Sequence, residues 1–154
     1  MRRRRKPINP IAIIGMIVIP LLIFGAYSLV FSSNKAEQLV ENFYTYEQQG
    51  NFSESWELFH PIMKEKFTQG GYIQDRAHVF IGHFGADTFS YEIAKPTKIK
   101  DWKMSKDTEP FKVAHKYLVT TSYKGKYGAF HFIQEVYVVK GEENEWNIVW
   151  DYNK

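Results

Sequence analysis

The chain has 154 residues with no cysteine, 20 Lys and Arg against 17 Asp and Glu, and aromatic side chains at 17%. Without thiols there is no disulfide, no thiolate metal site, no cysteine nucleophile and no lipid-modified cysteine. Arg2 to Lys6 hold five of the cations and no acid precedes Glu37, which leaves residues 35–154 with 15 cations against 17 anions, a net charge of about −2 unsuited to nucleic acid.

The basic cluster is followed by an apolar run, Ile11 to Phe31, in which Tyr27 is the only ionisable side chain. At roughly 1.5 Å per residue a helix over this run spans about 30 Å, the thickness of a bilayer's hydrocarbon core. A cleaved signal peptide has a shorter apolar core and a small-x-small cleavage site, and Ser28 to Asn34 offers no Ala-x-Ala pattern. The sequence therefore predicts a cytoplasmic basic segment over residues 1–7 and a transmembrane signal anchor over 8–31, embedded in the lipid bilayer and kinked at Pro20. Residues 35–154 follow as one extracytoplasmic domain, large enough for a single core.

Asn34 and Glu37 have capping-box spacing and predict a helix start. Ala36, Leu39, Val40 and Phe43 then recur at helical spacing until Gly50, a C-terminal cap. Asn51 caps a short second helix with Phe52, Trp56 and Phe59 on one face, ended by Pro61, which can open a further turn through Phe67. A third helix runs from about Tyr72 to Phe84, with Ile73, Ala77, Phe80, Ile81 and Phe84 as its buried stripe.

From Asp87 the period changes to two, and Phe89, Tyr91 and Ile93 mark a strand. A weaker strand, Thr97 to Met104, follows Pro96. Two long strands come next, Phe111–Tyr123 and Tyr127–Lys140, and a last one covers Glu145–Tyr152. A two-residue turn at Gly125-Lys126 would pair positions that sum to 251 and put Lys116 opposite Glu135. One face then carries Val113, His115, Tyr117, Val119 and Thr121 with Phe130, Phe132, Gln134, Val136 and Val138, and meets the helices. The other presents Leu118, Ile133, Tyr137 and Val139. The fold class is α+β, with three helices packed on a curved antiparallel sheet to make a cone-like domain.

The segments Ala36-x6-Phe43-Tyr44, Gly50-Asn-Phe-x3-Trp56-x-Leu-Phe59-x-Pro61 and Glu145-Trp-Asn-Ile-Val-Trp-Asp151 resemble the nuclear transport factor two-like superfamily. Within it the chain is most similar to the membrane-proximal N-terminal domain of penicillin-binding proteins of the methicillin-resistance type. The similarity spans about residues 36–152 and rests on packing residues, so it implies fold more than function. The 154 residues contain no transpeptidase domain. The resemblance implies a binding module near cell-envelope or cell-wall synthesis, with an envelope protein or a second copy of the chain as partner, or a small ligand. Ketosteroid isomerases and small dehydratases of the same superfamily imply the alternative, a lyase or isomerase with a pocket in the cone.

For that alternative the candidate catalytic residues are Asp75 and His78, three apart on one helix, with His115 and Tyr117 on the inner sheet face. The preferred reading of Asp75 and His78 is that they cap or sit on a solvated face beside Arg76, and that of His115 is a satisfied core histidine. For a binding module the candidate ligand or partner-surface residues are Tyr44, Trp56 and Gln134, the outer-face residues Leu118, Ile133 and Tyr137, and Trp146 and Trp150 on the final strand. Trp146, Ile148 and Trp150 can be core, a stacking wall or a partner surface. No cofactor or metal is expected, since the five histidines are scattered and His78 and His83 stand five apart, not the three or four that align two imidazoles on an α-helix.

Overall fold

A computed structural model describes residues 10–106, 108–141 and 144–151, with the side chains of 10–15, 17, 23–34, 80 and 81 outside that set. The chain divides into two compact units, Met1–Asn34 and Lys35–Lys154. The basic cluster Arg2–Lys6 lies outside the described residues.

The first helix, α1, is assigned without interruption over Pro10–Gln48. The expected start at Asn34 is corrected by that continuity. A capping side chain is needed only where backbone N–H groups lack partners, and inside a helix the Asn34 segment has none to cap. Gly50 follows the last turn with φ +74°, a left-handed conformation open to glycine at no steric cost. Among the residues whose side chains are described, no helix is long and apolar enough to cross a membrane. Most of the apolar run 11–31 falls outside that set.

Three short helices follow: α2 (Phe52–Glu57), α3 (Pro61–Lys66) and α4 (Gln69–Arg76). Asn51 occupies the N-cap position of α2 but its side chain makes no capping bond, turning instead to Gln49. The caps that form are His60, accepting from the Ile62 N–H, and Thr68, accepting from Gly71. Directly after α4 the chain continues as a π-helix, Ala77–His83. The predicted third helix thus exists, in two different windings.

Five strands form one curved antiparallel sheet: β1 (Phe89–Ile93), β2 (Thr97–Trp102), β3 (Phe111–Gly125), β4 (Gly128–Lys140) and β5 (Trp146–Trp150), with order β1-β3-β4-β5 and β2 also on β3. β1 pairs with the second half of β3 and β2 with the first half, so the two lie end to end along one edge. The β3–β4 ladder pairs Gly125 with Gly128 and Tyr117 with Val136, which puts the turn at Lys126-Tyr127. The expected register is therefore off by two. Because side chains alternate with period two, an even slip leaves every residue on its expected face. Lys116 sits directly across from Tyr137, and its ammonium still reaches Glu135 diagonally, at 2.6 Å.

The inner face carries Tyr117, Val119, Thr121, Val136, Val138 and Ile148, all buried. Phe43 of α1 packs on Phe59 with the rings tilted at 51° and meets Trp150 edge-on, and Tyr72 packs on Phe59. The other edge of the sheet is closed by the chain before α3, where His60 N–H donates to Ile148 and Ile148 N–H to Leu58. That covering leaves β5 little free backbone with which to recruit another strand. The outer face is not bare either. Ala114, Tyr137, Val139 and Val149 are buried there, and the Trp102 ring stacks on Tyr137 with centroids 4.0 Å apart.

Candidate functional site

The apolar stripe of α1 continues past Ala36, Val40, Phe43 and Tyr44 to Glu47, one more turn along the same face. Its carboxylate is fully buried and ion-pairs with the Arg76 guanidinium at the end of α4. The other carboxylate oxygen accepts from Ser55 Oγ at 2.5 Å and from the Tyr72 hydroxyl at 2.8 Å. Tyr123 of β3 interacts with the same guanidinium. Burial pushes the Tyr72 hydroxyl well above its ordinary pKa, and the Glu47 charge adds to this. At Arg76 burial acts to lower the pKa, but the Glu47 carboxylate and the neighbouring tyrosines outweigh it and hold the guanidinium charged.

This cluster is the one buried charge pair among the described residues, and it is chemically committed. A general base needs a free lone pair and a substrate proton within about 3 Å, whereas both Glu47 oxygens already face donors. The adjoining cavity, bordered by Phe52, Phe89 and Tyr123, has a volume of about 20 Å³, room for a single water. Sequence reasoning missed Glu47, Ser55 and Arg76. An acid at a stripe position was the available signal, and its partner lay too far along the chain to be paired by spacing.

The predicted catalytic residues are not brought together. Asp75 and His78 are exposed on the outside of the helical segment. His115 is half-buried against the Trp146 ring, and burial, with the Lys98 charge, lowers its pKa. Tyr117 is fully buried at the centre of the inner face, and its hydroxyl has no hydrogen-bond partner. Burial, with the Glu37 charge, raises its pKa to about 12.

Among the binding candidates, Tyr44 and Gln134 do meet, the phenol donating to the amide oxygen at 3.0 Å. Tyr44 is 2% exposed, its side chain consumed by the core. Tyr137, expected to show on the outer sheet face, is corrected: it is 3% exposed beneath Trp102. Trp150 is core as well, ringed by Phe43, Phe59, Phe67 and Tyr72. Trp56 is half-buried, its N–H donating to the Phe67 carbonyl and Lys64 lying over its ring. Trp146 is half-buried under Lys140. Leu118 and Ile133 remain exposed, at 42% and 69%.

One larger recess lies elsewhere, a groove of about 520 Å³ between the α2–α3 corner and the start of β5, lined by Glu57, His60, Lys64, Glu145 and Asn147. It is open and polar, with Lys64 and Glu57 paired across it at 2.8 Å. The remaining departure from expectation is His78 and His83, whose Nε2 atoms lie 2.8 Å apart. Among the described residues no three His, Asp or Glu side chains cluster as metal ligands do. No protein-family model matches the chain, and neither does any curated protein.

Proposed function

We propose that the chain is a non-catalytic, membrane-anchored binding module of the cell envelope, its outer domain of the nuclear transport factor two-like type. The observation that carries this reading is the filled interior. Phe43, Tyr44, Phe59, Tyr72 and Trp150 and the Glu47–Arg76 pair occupy the space between helices and sheet, where an isomerase would need a pocket for substrate. The anchor reading rests on the helical backbone across the apolar run and on its described side chains. Met16, Val18, Ile19, Leu21 and Leu22 are all exposed, and at 100° per residue they point all around the helix. A helix apolar on every side is stable only in a nonpolar surrounding. With Arg2–Lys6 retained inside, residues 35–154 face outward.

A partner protein of the envelope, or a second copy, engages the outer sheet face at Leu118 and Ile133, in the neighbourhood of wall synthesis. Site-specific photo-crosslinkers at Leu118 and Ile133 in native membranes test this, with Glu54, on the exposed side of α2, as control position. The expected result is an adduct of defined mass from the sheet positions and none from Glu54. An absence of adducts at both sheet positions, or recovery of the chain from the soluble fraction, overturns the reading.

A further inference from the structure

We infer that His78 and His83 form a two-histidine site for a borderline divalent metal ion, of the Cu²⁺ or Ni²⁺ class. In an α-helix residues five apart point about 140° away from each other. Over Ala77–His83 the helix is π, closed by i→i+5 bonds, and the same spacing brings the two rings to one side. Their centroids are 4.4 Å apart and perpendicular, with Nε2 atoms separated by 2.8 Å. Both side chains are exposed.

The two Nε2 atoms hydrogen-bond to each other, one ring donating to the other, which already holds the nitrogens at 2.8 Å. Two nitrogens at this separation can share one ion at about 2.0 Å from each, the usual metal–imidazole distance, with an angle of about 90° between them. A 90° angle between neighbouring ligands belongs to square-planar or octahedral ions. Tetrahedral Zn²⁺ would need the nitrogens opened to about 3.3 Å. With no third protein ligand among the described residues, water completes the coordination, and both imidazoles bind through neutral Nε2.

The site would also tie down its own helix. The residue after it, Phe84, accepts from Lys126 N–H at 3.0 Å and packs on Phe130 of β4, so a clamp across 78 and 83 holds the segment that meets the hairpin. The test is calorimetric titration of the full chain in detergent with Ni²⁺ and Cu²⁺ at pH 7.5, beside His78→Ala, His83→Ala and His131→Ala. One ion per chain is expected for the parent and for His131→Ala, with affinity at least tenfold weaker in either of the other variants. Circular dichroism should show all three folded, since the substituted side chains are exposed. Slower amide exchange over residues 77–84 on addition of Ni²⁺ is the second expected result. Binding that survives both His78→Ala and His83→Ala, tighter Zn²⁺ than Ni²⁺ binding, or no binding at all overturns the site.

Discussion

At the scale of single residues, the ion pair of Glu47 and Arg76 decides more than any other contact. The carboxylate has left water entirely and the guanidinium for the most part, and the carboxylate is tolerable there because the cation is beside it. Arg76→Met leaves a buried carboxylate with two hydroxyl donors and no counter-charge, which should cost about 3–5 kcal/mol at pH 7. Adding Glu47→Met to the same chain should recover part of that loss, since no buried charge is then left unpaired, while the Ser55 and Tyr72 hydroxyls lose their shared acceptor. Chemical denaturation of the parent, both single variants and the double variant measures the cycle. A cost below about 1 kcal/mol for Arg76→Met would mean that water already reaches the carboxylate. The stripe position of Glu47 was legible in the sequence. Its meaning was not, because the stripe tells that a side chain turns inward and not what waits for it there.

At the scale of elements, the change of period from 3.6 to 2 near Asp87 places every strand and the two long partners of the hairpin. The turn was misplaced by one residue, and the register with it by two, because Gly125 and Gly128 compete as turn glycines. Gly128 has φ +111°, whereas Gly125 is needed for room. A Cβ on Gly125 would stand 2.5 Å from the Phe84 carbonyl oxygen and 3.1 Å from the Phe130 ring. Gly125→Ala should therefore force the hairpin away from the end of the π-helix, break the Lys126–Phe84 hydrogen bond and cost about 1–3 kcal/mol. Gly82→Ala meets nothing closer than 3.8 Å and should be neutral or slightly stabilising. Thermal unfolding separates the two, and equal melting points would contradict the close approach. The π winding itself was invisible: Ile73, Ala77, Phe80 and Ile81 fit an α-helical stripe, and only tertiary packing selects the wider turn that aligns His78 with His83.

At the scale of the whole molecule, the core is unusually rich in phenols held away from water. Tyr44, Tyr72, Tyr117, Tyr123 and Tyr137 all have raised pKa values, with burial the largest cause in each. A group whose pKa is higher folded than unfolded holds its proton more tightly in the native state. Its contribution is complete below the unfolded value of about 10 and is lost as pH climbs through the folded value. For Tyr117 that window runs from about pH 10 to about 12, and the other four tyrosines act in the same direction. Stability of the outer domain should thus be level from pH 8 to about 10 and fall steeply above it. Tyr117→Phe isolates one share of the effect. Its hydroxyl is buried without a partner, so at pH 7 the substitution should be neutral or stabilising by up to about 1 kcal/mol, and above pH 10 the gain over the parent should grow. The parent is expected to lose ground to Tyr117→Phe as pH rises, because phenylalanine has no proton to release. Denaturation midpoints of both chains at pH 7, 9, 10.5 and 11.5 give the comparison. A Tyr117→Phe chain less stable than the parent at pH 7 would show that the hydroxyl is bonded, and that the space around it admits water.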